Sequence, residues 1–183
     1  MGVTNSEDRQ RNPRRLEVSS VSVHPDSSSS SGVAVLELRD KARVDERVRP
    51  VCLPAAPGGE ETPRKAYAAR WTLPDGRRSP AGRTSLAAPV AVARCERRLA
   101  RGGTLGDDAL CLFEKMPGSR GSCAGGVPGI ATASSPAGWQ LLGLETFNYK
   151  EEEEEEEEDC LQRRYTVYTR IASYRDWIVK NIK

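Results

Sequence analysis

Short runs rich in Val, Leu, Thr and Tyr recur along the chain, separated by clusters of Gly, Pro and Ser: LEVSSVSV (16–23), GVAVLEL (32–38), AAPVAVA (87–93), WQLLGLETF (139–147) and YTVYTRI (165–171). Runs of this length and composition suit strands, and their repetition without intervening helical patterns predicts a barrel or a sandwich. One segment has a different period. In SYRDWIVKNIK, Tyr174, Trp177, Ile178 and Ile182 fall at i, i+3, i+4 and i+8, with Ser173 placed as a cap. That spacing predicts a terminal amphipathic helix over 173–183 that docks one face on the strands.

Three segments carry no such pattern. Ser27–Ser31 is a five-serine run, and PAAPGGEETP (54–63) is a connector rich in proline and glycine. The third is Glu151–Glu158 followed by Asp159, nine acids in succession, which read as a solvated loop. This run hides the charge of the remainder. The formal charge is 28 minus 26, or +2, and without the nine acids it is 28 minus 17, or +11. The clusters RQRNPRR, DGRRSPAGR and RCERRLARGG are suited to an acidic polymer such as a sulfated glycan; no aromatics interleave them for stacking on bases, so nucleic acid is not an expected partner.

Length and composition narrow the class. At 183 residues, 37% hydrophobic and 5% aromatic, the chain suits one domain or two small barrels with a modest core. No run of eighteen apolar residues exists, so no spanning helix is expected, and MGVTNSEDRQRNPRR lacks the apolar region of a secretory signal. The cysteines point the other way. Cys52, Cys95, Cys111, Cys123 and Cys160 are widely spaced without a CxxC pair, and His24 is the only histidine, so neither a zinc site nor another cofactor is expected. Such spacing suits disulfides in an oxidising, extracellular compartment, with one of the five lacking a partner. The glycine-rich stretch GSCAGGVPG (121–129) suits either an oxyanion hole or a tight connection between strands.

Four stretches together spell a family. YTVYTRIASYRDWIVKNI (165–182) resembles the last strand and C-terminal helix of trypsin-like serine proteases, where GVYTRV is followed by DWI. VHPDSSSSSGVAVLELRDKARVDERVRPVCLP (23–54) resembles the HP turn, the DIALL strand and the VRPVCLP linker of that family. GWQLLGLETF resembles the strand ending in SWG, and GSCAGGVPG lies where the family has its CxGDSGGP nucleophile loop. The resemblance implies an all-β, chymotrypsin-like double β-barrel, N-terminally truncated, with a C-terminal α-helix. It divides the chain into a remnant of the first barrel (1–50), an interbarrel linker (51–63), a second barrel (64–172) with an acidic loop at 150–159, and the helix (173–183).

The same resemblance implies that the chemistry is gone. Peptide cleavage by this family needs a serine nucleophile, a histidine base and a carboxylate that holds the base. Matching Cys123 to the loop cysteine puts Gly125 on the first glycine, Gly126 on the aspartate and Val127 on the nucleophile; a slip of two residues deletes the serine altogether. Ser122 and Ser134 lie outside the position. Gly32 stands where the orienting aspartate belongs, Asp26 reads as a turn residue, and His24 matches the HP turn and not the base. The specificity pocket is degenerate, with Gly121 at its floor and Asn148 and Thr166 where small residues flank it. Cys95 is implied to pair with Cys111 and Cys123 with Cys160, leaving Cys52 for a cysteine upstream. The expectation is a secreted pseudoprotease domain, resembling an inactive branch of the family, that binds an unknown protein or an acidic extracellular glycan. Two alternatives are a trypsin-like endopeptidase whose catalytic residues are missing from a faulty or partial gene model, and a basic matrix- or glycan-binding module.

Overall fold

The computed structural model describes residues 15–25, 32–46, 48–56, 63–72, 81–97, 104–115, 127–150 and 163–182. Two strands come first, β1 (Val18–Val23) and β2 (Ala34–Leu38), joined as an antiparallel two-stranded sheet. Six more follow: β3 (Ala66–Thr72), β4 (Ala81–Val90), β5 (Ala109–Lys115), β6 (Val127–Ser135), β7 (Gly138–Lys150) and β8 (Arg163–Arg170). They close into a barrel in the order β3-β4-β5-β8-β7-β6, every pair antiparallel. Helix α1 (Val92–Glu96) links β4 to β5, and α2 (Ile171–Asn181) follows β8 directly. The architecture is all-β and chymotrypsin-like, with a C-terminal helix.

Strand alternation decides what fills the barrel. In β3, Ala66, Ala68 and Arg70 point inward, and they meet Ala87 and Ser85 of β4, Leu110, Leu112 and Glu114 of β5, Ala131 and Ala133 of β6, Leu142 of β7 and Tyr168 of β8. A six-stranded barrel has a narrow interior, so alanines on three strands leave room for a few large side chains on the others. Tyr168 is the largest fully buried one among the described residues. A second cluster lies beneath α1, where Cys95 and Cys111 form a disulfide with a Cα–Cα distance of 6.0 Å beside Ala109, Tyr165 and Val167.

The third cluster joins the small sheet to the barrel. Ile171, Tyr174 and Ile178 of α2 pack with Val33, Val35, Leu53, Leu141 and Leu144. His24 stands edge-on to Tyr174 and Trp177, with ring centroids 4.9 and 5.0 Å apart. The segment between β2 and β3 adds to the barrel wall as well. Cys52 forms a parallel bridge with Gln140, donating its N–H to the Trp139 carbonyl at 2.8 Å and accepting from the Leu141 N–H at 3.0 Å, on the part of β7 that extends past its pairing with β8.

Several local expectations need correction. The strand expected at 87–93 stops at Val90, because the chain turns into α1 and so brings Cys95 to Cys111. Strands β3, β5 and β6 were not expected; their alanine-rich and short apolar runs have weak intrinsic strand preference, and barrel pairing overrides it. Helix α2 begins at Ile171, not Ser173. Its entry is held by Asp108, whose carbonyl accepts from the Arg170 N–H at 2.6 Å and whose carboxylate accepts from the Tyr174 hydroxyl at 2.5 Å, so Ser173 lies inside the first turn and caps nothing. Ile182 falls beyond the helix and is exposed.

Candidate functional site

Three of the expected site residues lie on strand segments towards one end of the barrel. Val127 opens β6 opposite Trp71 near the end of β3, and Asn148 of β7 lies directly across from Thr166 of β8. Thr166 also faces Leu112 of β5 and is completely buried. Gly121, Cys123 and Cys160, like the acidic run, fall outside the described residues. Gly32 is placed elsewhere: it precedes β2, exposed, beside the buried Val33 that packs on α2. His24 is part of that same packing, and Ser134 is exposed on β6 opposite Trp139. Cys52 is a free, exposed thiol. Among the described residues no cluster of His, Cys, Asp and Glu is arranged to hold a metal, and no helix is long and apolar enough to cross a membrane.

Inside the barrel, below that rim, lies a polar cluster made of residues other than those expected at the site. Arg70 forks onto Glu114, Nη1 to Oε2 at 2.6 Å and Nη2 to Oε1 at 2.9 Å. Tyr168 donates its hydroxyl to Glu114 Oε1 at 2.8 Å and accepts from Arg70 Nη2 at 3.0 Å, while Ser85 donates to Glu114 Oε2 at 3.1 Å. The Arg70 Nε reaches Glu145 Oε2 at 3.1 Å, and that oxygen also accepts the Gly129 N–H at 2.8 Å. The side chains of Arg70, Glu114 and Glu145 are 2%, 0% and 4% exposed, so the cluster is sealed from solvent. A signal for it was present in the strands: Arg70 shares a face with Ala66 and Ala68, and Glu114 with Leu110 and Leu112.

Each charge is locked by its neighbours. Burial alone would push Glu114 up, but the hydrogen bonds and charge of Arg70 outweigh it and hold the carboxyl below the usual range. Burial likewise opposes the Arg70 cation, and Glu114 more than restores it, so the guanidinium is held above its ordinary value. Tyr168 is driven far upward by burial and by the Glu114 charge. Around neutral pH the set is therefore a fixed cation, a fixed anion and a neutral phenol. A general acid or base needs a group poised near the working pH and within reach of substrate, and this trio meets neither condition. Ser85 and Tyr168 spend their hydroxyl protons on a carboxylate, not on an imidazole. The arrangement, with Glu145, ties together β3, β4, β5, β7 and β8.

The family model described as Trypsin matches residues 1–178. The chain belongs to the trypsin family. It is similar to the inactive serine protease PAMR1 of Xenopus tropicalis, 28% identical over 95% of this chain and 26% of that protein, and to PAMR1 of Homo sapiens, 26% identical over 92% and 25%. It is also similar to mannan-binding lectin serine protease 1 of Rattus norvegicus, 28% identical over 90% of this chain and 23% of the relative. The chain thus spans about a quarter of the length of the curated relatives it matches.

Proposed function

We propose that this trypsin-family domain is a pseudoprotease of a secreted, extracellular protein and acts as a binding or structural module. The observation that carries the reading is Val127, which opens β6 in extended conformation at the position that the family resemblance matches to the nucleophile. A valine methyl cannot attack a carbonyl. Gly32 in place of the orienting carboxylate, and His24 packed against α2, agree with that assignment. Asn148 and Thr166, paired across β7 and β8, stand at positions that the family resemblance matches to the small residues flanking the specificity pocket, and Gly121 matches its floor. The Cys95–Cys111 bridge favours an oxidising compartment, and the further pairing of Cys123 with Cys160, with Cys52 joined to an upstream cysteine, completes the proposed set. Within this reading, 51–63 is the interbarrel linker and 64–172 the second barrel.

Catalytic silence is the first test. The purified protein is expected neither to hydrolyse peptide esters nor to react with a serine-directed phosphonate, and stoichiometric labelling would instead establish the endopeptidase reading. The excess of basic charge outside the acidic run makes a sulfated glycan a suitable ligand class. Retention on immobilised heparin that falls steeply with salt is the expected result; lack of retention directs the search to a protein partner.

A further inference from the structure

Strand β6 is irregular close to its start. Ala69 of β3 pairs with Ile130, but the next recorded pair is Trp71 with Val127, so Pro128 and Gly129 together stand against Arg70 alone. One extra residue on one strand is a β-bulge, which bends the strand and frees a backbone group from the ladder. Pro128 has no N–H to offer. The freed donor is the Gly129 N–H, and it is taken by a side chain: Glu145 Oε2, at 2.8 Å. That same oxygen accepts from Arg70 Nε at 3.1 Å, so the residue opposite the bulge anchors the acceptor that serves it.

Glu145 is itself fixed by an irregularity. It pairs with Tyr168 while Phe147 pairs with Val167, which leaves Thr146 as the extra residue of β7 and turns the strand at this point. Space at the junction is tight. A Cβ on Gly129 would lie 2.5 Å from the Ala69 carbonyl oxygen and 2.8 Å from the Arg70 Cβ, so β6 crosses β3 closer than any other residue permits.

We propose that Glu145 is a positioning residue: held by Arg70, its carboxylate replaces the ladder partner that Gly129 lacks, and so sets the direction in which β6 departs from β3 towards Val127. The geometry of the strand head at the barrel rim is then governed by an ion pair sealed in the interior. A merely structural pair would contribute stability to all strands alike, whereas a positioning carboxylate protects one amide in particular.

Amide hydrogen exchange resolved by residue in the full 183-residue chain separates the two. In the wild-type protein the Gly129 amide is expected to be protected although it lies at a bulge. In Glu145→Ala it is expected to exchange about 10- to 100-fold faster, the equivalent of one hydrogen bond to a charged group, with the Ala131 and Leu112 amides unchanged. Glu145→Asp, which keeps the charge but falls one methylene short, serves should the alanine variant not fold, and is expected to lose protection at Gly129 selectively as well. Ser85→Ala, which touches Glu114 and not Gly129, is expected to leave that amide as it was. An unprotected Gly129 in the wild-type protein, or a loss of protection spread evenly over the barrel in the Glu145 variants, would overturn the proposal.

Discussion

The closed barrel and the β1–β2 sheet are built from similar strands and end in opposite environments. In β1, Val18, Val21 and Val23 are exposed, as is Leu36 of β2, and Val33 beside them is buried in the cluster formed with α2. In the barrel, the inward-facing alanines and leucines, of comparable or lower hydrophobicity, are buried while Leu86 on the outer face is exposed, and the interior also holds Arg70, Glu114 and Ser85. Burial is therefore conferred by closure and not by the strand's own sequence: six strands that return on themselves have an inside, and two strands have two outsides. An interior also changes what a charge costs. Out of water, Arg70 and Glu114 are tolerable only as a pair with their remaining hydrogen-bonding groups satisfied, and the barrel supplies further partners from three more strands, Ser85 of β4, Glu145 of β7 and Tyr168 of β8.

The largest expected effect breaks that pair. Arg70→Ala leaves the Glu114 and Glu145 carboxylates facing each other's strands without their guanidinium, and is expected to destabilise the domain by about 3–5 kcal/mol, measured by urea unfolding. A loss within the range of ordinary surface substitutions would mean that water reaches the barrel interior and that the contrast drawn above is false.

Replacing Cys95 and Cys111 together by alanine comes next. The bridge closes a loop with a sequence separation of 16, and its removal is expected to cost roughly 3 kcal/mol. The m-value should change as well, because the constraint acts on the unfolded chain. Equal m-values and midpoints in the two proteins would show that the β4–α1–β5 connection holds itself.

The pH dependence sharpens the comparison. Because the folded-state pKa of Glu114 lies below its unfolded value, its contribution to stability is fully present above about pH 4.3 and is lost as pH falls through the lower, folded value. Thermal midpoints followed from neutral pH down to about pH 2 are expected to drop steeply in the wild-type protein. In Glu114→Gln the drop should be shallower from a lower starting point. Parallel curves would assign the acid sensitivity to other carboxylates.

At the other extreme, Leu36→Ser on the exposed sheet is expected to shift stability by no more than about 0.5 kcal/mol, while reducing the binding of a dye that reports apolar surface. A destabilisation approaching that of Arg70→Ala would mean that the β1–β2 face is covered in solution.

Much of the frame was legible in the residues. Tyr165–Ile182 announces a last strand and a docked helix, and both are present; the implied Cys95–Cys111 bridge is present as well. Boundaries were less legible where tertiary contacts set them. Asp108, sixty-two residues before Arg170, anchors the start of α2, and nothing local to Ser173 reveals it. Strand β3 was missed because AYAARWT has the alanines of a helix former, and only pairing with β4 and β6 makes it a strand. Val127, Asn148 and Thr166 were singled out through family motifs, but that Asn148 pairs with Thr166, and Val127 with Trp71, follows from barrel register.

The amino-acid order alone carries the family, the last strand with its docked helix and, through the family resemblance, the pairing of Cys95 with Cys111; once the strands form, alternation turns Arg70 to the side of Ala66 and Ala68, Glu114 to that of Leu110 and Leu112, and Tyr168 to that of Thr166. Tertiary structure alone decided that those three inward residues meet one another and Glu145, across sequence separations of 44, 75 and 98 from Arg70. The reason is physical: alternation is a local property with a period of two, whereas which inward side chains converge depends on strand order, on bulges that shift register by one residue, and on closure of the barrel. None of these is encoded within any single strand.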